Sequence, residues 1–244
     1  MVKVYYTKIG EWTGFDGQKE ERAVSDSKNL PCILKKVNEQ RRSKILRCKN
    51  EKDKLRSLMA GLLLRFALEQ EGIDYEKAEF AYGEHGKPML LRYEYIQEDE
   101  HMDKPYRNLF FSLTHSEHYV ACAISDENIG IDLEETNRKL FSPEKGNQLI
   151  SMAKRICTQK EYAYFLNLPK EERTRAYVEL WTRKESLAKA DGRGLAIGFE
   201  QVEVLETEGF ETRWITEDVC MSIYSSNITK HMCCYSYVKC EEWS

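Results

Sequence analysis

Trp181-Thr-Arg-Lys-Glu-Ser-Leu-Ala-Lys-Ala-Asp-Gly-Arg-Gly-Leu195 runs through good helix formers as far as Asp191 and then meets Gly192, a natural left-handed stop. It predicts a helix beginning near Glu172. Trp181, Glu185 and Lys189 recur every four residues, so they share one face about a turn apart, with Lys184 beside it. A carboxylate flanked by two ammonium groups suits a metal-bound phosphate. A solvated Glu–Lys ladder, with Trp181 packed into the core, fits the same spacing.

Upstream, Ile129-Gly-Ile-Asp-Leu-Glu-Glu135 alternates apolar and acidic residues, which is the period of a strand. Ile129, Ile131 and Leu133 take one side, and Asp132 and Glu134 project together from the other. Two carboxylates placed this way repel unless a cation lies between them. Hard oxygen ligands of that kind suit Mg²⁺. An edge strand with a wet acidic face would show the same alternation.

Three further stretches carry groups suited to phosphate. Phe111-Ser-Leu-Thr-His-Ser116 ends a strand pattern with a hydroxyl, an imidazole and another hydroxyl, all able to donate to phosphate oxygens. A hydrolase built on a serine and this histidine would need an acid partner and a nucleophile elbow, and neither motif is present. Gly86-Lys-Pro88 reads as a turn presenting Lys87. Basic residues cluster between Lys35 and Arg56, although the chain as a whole has a net charge of −4. That balance points to a local anion site and away from general nucleic-acid binding. His118 has no motif around it and reads as a surface residue.

Taken together, Gly130-Ile-Asp-Leu-Glu134 and Trp181-x-x-Lys-Glu-Ser-x-x-Lys-x-x-Gly-x-Gly-Leu195 resemble the signature pair of the 4′-phosphopantetheinyl transferases. The chain's length and upstream motifs resemble the longer, Sfp-type branch of that superfamily. The resemblance implies an α+β fold of two similar halves related by a pseudo-twofold, antiparallel sheets packed with helices, and an active site in the cleft between them. It implies transfer of 4′-phosphopantetheine from coenzyme A to a serine of an apo acyl or peptidyl carrier protein. The transfer would depend on Mg²⁺ and release adenosine 3′,5′-bisphosphate. The resemblance leaves open whether the client is a fatty-acid, polyketide or nonribosomal-peptide carrier.

The same resemblance assigns roles. Asp132, Glu134 and Glu185 would hold Mg²⁺, and Asp132, Glu185 and Lys189 would form the catalytic set. Glu185, or a water beside it, would be the general base. Lys184 and Lys189 would balance charge on the phosphates and leaving group. Thr114, standing where the family has serine, and His115 would contact the adenosine end, with His115 at the 3′-phosphate. Lys87 would lie near the coenzyme A phosphates. Asp53-x-x-Arg-Ser57 followed by Leu62-Leu-Leu-Arg65 resembles the family's first helix, which brings Arg56 and Ser57 to the nucleotide. An ungapped count back from that helix puts Arg41 and Lys44 against the 3′-phosphate.

Strand patterns are expected at residues 2–9, 79–82, 88–91, 109–114, 119–125 and 129–135, and again at 202–205, 212–215, 220–224 and 232–238. Helices are expected at 40–47, 53–71, 145–166 and 172–191, the second with Leu55, Leu58, Met59, Leu62, Leu63 and Phe66 as its apolar stripe. Residues 11–34 are polar and give no clear pattern, and residues 94–107 read as an acidic surface loop. The succession of strand, helices, long helix and further strands occurs twice. It predicts a boundary near Asp126, and the resemblance gives residues 1–126 the nucleotide contacts and residues 127–244 the acidic residues and the Trp181 helix.

A chain of 244 residues, 41% hydrophobic and 32% charged, is long enough for one large domain or two modest ones with a substantial core. Its eight cysteines lack the spacing of a disulfide framework. The start does not read as a signal peptide, and no apolar run would cross a membrane. A cytoplasmic protein with reduced cysteines is therefore expected, and the internal pseudo-dimer that the resemblance implies makes it a monomer. The carrier surface is expected near the cleft, in the loops before Leu109 or around residues 141–149. Two other functions fit parts of the pattern: a non-catalytic coenzyme A or nucleotide-binding module, and a metal-dependent phosphodiesterase using water in place of serine. The intact Asp132, Glu134 and Glu185 count against the first. Against the second count only five scattered histidines, where a second metal cluster would be needed.

Overall fold

β1 (Val2–Lys8) alternates buried with half-buried residues along most of its length, as a strand with one face on a core must. The computed structural model describes residues 1–9, 30–96, 108–137, 146–228 and 233–239. Residues 97–107 of the expected acidic loop, residues 141–145 of the expected carrier loop and most of the polar stretch at 11–34 lie outside these residues. After β1 come α1 (Leu30–Leu34), α2 (Glu39–Arg47) and α3 (Glu51–Gln70). Asn38 and Asn50 begin α2 and α3, their side-chain oxygens accepting from the Arg41 and Lys52 amides that a helix start leaves free. α3 buries the expected Leu58, Met59, Leu62 and Leu63, and the burial spreads to Ser57, Ala60, Gly61 and Leu64.

The chain continues through β2 (Glu79–Tyr82), β3 (Pro88–Arg92), β4 (Phe110–His115), β5 (Tyr119–Ser125) and β6 (Gly130–Glu135). Helices α4 (Gly146–Ile156), α5 (Gln159–Asn167) and α6 (Arg173–Asp191) follow, then β7 (Phe210–Trp214), β8 (Val219–Tyr224) and β9 (Cys233–Tyr237). One sheet has the order β4-β5-β1-β9, another the order β6-β8-β7, and β2–β3 forms a separate hairpin. Within each larger sheet the meander β1-β5-β4 or β6-β8-β7 is antiparallel throughout. The two trios share one strand order. α3 packs its leucines against Val120 and Ile124 of the first. In the second, Val178, Leu180 and Ala188 of α6 meet Phe165, Phe199 and Cys220. A third cluster, with Val4, Ala121, Ile131 and Met221, seals the two sheets to each other. The fold is α+β with mainly antiparallel sheets.

Three local expectations need correction. Thr158 interrupts the helix expected over 145–166, because it caps α5 in a reciprocal capping box with Glu161. No strand forms at 202–205, because side chains take the backbone groups a ladder would use. Val202 O accepts from Lys184, Val204 N donates to Glu161 Oε1 at 2.8 Å, and Val204 O accepts from Arg183 Nη1 at 3.1 Å. β9 does not extend the second meander; it pairs parallel with β1, from Val2↔Cys233 to Tyr6↔Tyr237. Seven cysteines among the described residues are all free thiols. No helix among the described residues is long and apolar enough to cross a membrane.

Candidate active site

The site begins with a close approach. α6 lies so near β6 that a Cβ built on Gly130 would stand 1.8 Å from Ser186 O and 2.6 Å from Ala190 N. Only glycine fits there. The approach brings the 185–189 face of α6 over the acidic strand. Lys189 Nζ donates to Asp132 Oδ1 at 2.7 Å and to Ile131 O at 3.0 Å. Thr114 Oγ1, from β4, donates to the same Asp132 oxygen at 2.9 Å. Asp132 is therefore held from α6 and from the other sheet.

Glu185 and Glu134 complete an acidic group around Asp132. Burial pushes the Glu185 carboxyl up to about 7, reinforced by the charges of Asp132 and Glu134 and opposed by Lys189. Three carboxylates within each other's field, with one ammonium between them, are short of positive charge. Among the described residues no three His, Cys, Asp or Glu side chains are closed around a metal-sized point. Lys189 and Thr114 occupy one Asp132 oxygen instead. As a donor set, three carboxylates are nonetheless the hard oxygens that Mg²⁺ takes, and the raised Glu185 marks where a cation would be favoured.

A cleft of about 250 Å³ runs from Lys189 and Thr114 to Arg41, Lys44, His115, Lys87 and Gly192. Arg41 reaches it by lying against α3 at Gly61, where a Cβ would stand 3.1 Å from Arg41 Cγ. Loss of solvent, then the charges of Lys189, Arg56, Lys44 and Arg41, push His115 down to about 4. Desolvation and the neighbouring Arg41 likewise lower Lys44. Four cations around one imidazole make a field suited to an anion. Arg56 pairs with Asp53 through Nη1 at 2.8 Å, while its Nε and the Ser57 Oγ are buried without a hydrogen-bond partner. Unmatched buried donors of this kind are what a ligand would satisfy.

Two expected phosphate contacts are placed differently. Lys184 points away from the acidic group into the core, because one step along a helix turns a side chain by about 100°. There its ammonium meets Glu161 Oε2 at 2.7 Å, with both side chains 0% exposed, and donates to Phe199 O at 2.9 Å. It is a core ion pair and does not face the cleft. Lys87 does line the cleft, but its ammonium donates to Asn128 Oδ1 at 2.7 Å and to Ala190 O at 2.9 Å, near the end of α6. Burial, partly offset by Asp191, lowers it to about 8. Asn128, which also donates to Ala190 O at 2.7 Å, escaped sequence reading because no motif surrounds it. The geometry so far brings cations to a cleft beside a carboxylate cluster, an arrangement suited to a polyanion and a divalent cation.

Comparison with known proteins gives that class a family. Residues 128–235 match the model of the 4′-phosphopantetheinyl transferase superfamily, and residues 25–127 match that of the 4′-phosphopantetheinyl transferase N-terminal region. The chain is 29% identical to 4′-phosphopantetheinyl transferase Sfp of Bacillus subtilis (strain 168), over 75% of its own length and 72% of that relative's. It is 30% identical to 4′-phosphopantetheinyl transferase gsp of Aneurinibacillus migulanus, over 66% of this chain and 58% of that one. With 4′-phosphopantetheinyl transferase HetI of Nostoc sp. (strain PCC 7120 / SAG 25.82 / UTEX 2576) the figures are 32%, 63% and 54%. The last two matches span less than two thirds of the relatives' own length. The chain belongs to the 4′-phosphopantetheinyl transferase superfamily, in its Sfp-type branch, and is an enzyme of the transferase class.

Proposed function

We propose that this protein moves the 4′-phosphopantetheine group of coenzyme A onto a serine hydroxyl of an apo acyl or peptidyl carrier protein, releasing adenosine 3′,5′-bisphosphate. The observation that carries this reading is the continuity of a cation-lined cleft with a carboxylate trio through one shared residue, Lys189. Arg41, Lys44, Arg56, Ser57 and His115 suit the 3′-phosphate and adenosine. His115, held low by burial and by its neighbouring cations, would gain its proton beside a phosphate dianion. At the other end Lys189 offers positive charge to the pyrophosphate while keeping Asp132 in place.

Asp132, Glu134 and Glu185 would hold Mg²⁺, which when bound neutralises and orients the pyrophosphate. The serine oxygen forms the new bond to phosphorus, the bond from that phosphorus to the bisphosphate oxygen breaks, and the serine proton goes to a Glu185 carboxylate oxygen. A water beside Glu185 would serve the same end. Thr114 acts here through Asp132. Lys87 tethers the β2–β3 turn over the nucleotide end, and Lys184 anchors the helix. The repeat of strand order in the two meanders supports two halves related by a pseudo-twofold, with the boundary near Asp126 and the cleft between them. The free thiols and the closed internal pair of sheets support a cytosolic monomer.

Intact mass spectrometry of an apo carrier incubated with the protein, coenzyme A and Mg²⁺, with an EDTA control, tests the proposal. The expected result is a mass gain of one phosphopantetheine arm that EDTA abolishes. Coenzyme A cleaved with no gain on any carrier would turn the reading towards hydrolysis. Coenzyme A bound but unchanged would turn it towards a binding module.

A further inference from the structure

We infer that Glu135 is a positioning residue that clasps the β4–β5 turn to β6 and sets the distance between the two ends of the cleft. The inference rests on the proposed transfer reaction and goes beyond it. β4 presents Ser112 and Thr114 at alternate positions on one face, and Ser116, the first residue past its end, continues the spacing; all three are buried. Each spans the seam to β6, which belongs to the other sheet. Ser112 Oγ accepts from Ile131 N at 3.1 Å, Thr114 Oγ1 donates to Asp132, and Ser116 Oγ donates to Glu135 Oε1. Hydroxyls thus lace the two sheets where no backbone ladder joins them.

The third rung differs from the others. Its acceptor, Glu135, is 1% exposed and also takes the His118 amide at 2.8 Å and His118 Nδ1 at 2.7 Å. A carboxylate can only accept, so Nδ1 carries the proton, and three donors fix the group in one orientation. Burial alone would raise this carboxyl, yet the Ser116 and His118 bonds hold it below its ordinary range. The clasp sits between the two functional ends. Ser116 follows His115 of the anion site, and Glu135 follows Glu134 of the acidic group. If the turn slips along β6, the 3′-phosphate contacts move relative to the carboxylates, and a misplacement of that size weighs heavily on transfer.

Three variants test this: His118→Ala, whose half-exposed ring leaves the core untouched, Glu135→Gln, and His118→Gln, which keeps a donor. Transfer is measured well below each variant's thermal midpoint, and coenzyme A and dephospho-coenzyme A affinities are measured by calorimetry in EDTA. In His118→Ala, kcat/KM for coenzyme A is expected to fall roughly tenfold, within the range that an ångström of misplacement produces. Glu135→Gln is expected to lose more. The preference for coenzyme A over dephospho-coenzyme A should shrink in both, and His118→Gln should restore most of each property. Wild-type rates and affinity ratio in His118→Ala and Glu135→Gln would overturn the clasp. So would a lower midpoint with both unchanged. A wild-type protein that binds coenzyme A but modifies no carrier would sink the transfer reading, while the affinity ratio still decides the clasp. Absence of coenzyme A binding would overturn both.

Discussion

The two long helices lie on meanders of the same strand order, yet they bury different chemistry. α3 buries Leu58, Met59, Leu62, Leu63 and Leu64, and its site residues, Arg56 and Ser57, sit in its second turn. α6 buries Thr182, Lys184 and Ser186, each 0% exposed. Each is hydrogen-bonded: Thr182 with Ser222 at 2.8 Å, Lys184 with Glu161, and Ser186 Oγ to Arg183 O at 2.8 Å. Apolar contact is non-directional, so α3 can settle by small rotations. Hydrogen bonds fix an angle. The Ser186 bond stays within α6, but those of Thr182 and Lys184 reach other elements and fix the rotation of the helix that carries Glu185 and Lys189.

The sharpest way to break this contrast is Gly130→Ala. Backbone atoms of α6 cannot yield to a Cβ, so β6 and α6 must separate. We expect a loss above the roughly 1–3 kcal/mol of ordinary overpacking, read as a shift of the urea midpoint. Gly61→Ala on the α3 side meets a side-chain methyl, Val37 Cγ1, at 2.8 Å, and should cost about 1 kcal/mol. Equal losses would mean that the tight seat is not particular to α6. Next comes Lys184→Met, which strands Glu161 in the core. About 3–5 kcal/mol is expected, because an unpaired buried charge remains. A near-neutral midpoint would show that α6 does not depend on its polar anchors.

Glu185→Gln separates function from stability. Transfer should disappear while calorimetry still detects coenzyme A; near-normal turnover would remove Glu185 from the base and metal roles. Its folded-state pKa of about 7 lies above the ordinary 4.5, so its contribution to stability is full below 4.5 and is lost as pH rises through 7. In EDTA the Gln variant should match wild type near pH 4.5 and melt at higher temperature above pH 7. A constant difference across that window would contradict the carboxylate crowding. The smallest effect is at the α3 side of the cleft. Arg41→Ala with Lys44→Ala should weaken coenzyme A about tenfold or more relative to dephospho-coenzyme A, as lost charge-assisted bonds do. Equal weakening would move both residues away from the 3′-phosphate.

What the sequence made legible was whatever short-range spacing controls. The strand period placed Asp132 and Glu134 together, and the four-residue spacing placed Glu185 and Lys189 over them. Partners distant in sequence were not legible. Lys184 looked like a phosphate ligand because nothing near it revealed Glu161, which arrives from α5. The same pair misled the assignment at 202–205, where apolar residues suggested a ladder but side chains satisfy the backbone. One miss was avoidable: Thr158-Gln-Lys-Glu161 is a capping-box pattern and marks the start of α5. Glu135 was hidden by its neighbours, since its alternation with Asp132 and Glu134 says nothing of a turn that folds back to meet it.

The parallel pairing of β9 with β1 has a bearing on how the molecule is made. Val2 and its neighbours leave the ribosome long before Cys233 and its neighbours do, and until then one rim of the first sheet has bare amides and carbonyls. Closing so large a loop is slow, since its entropy must be lost before the pairing rewards it. Synthesis therefore passes through a stage with an adhesive rim, and β9 works as a zip fastener drawn along it.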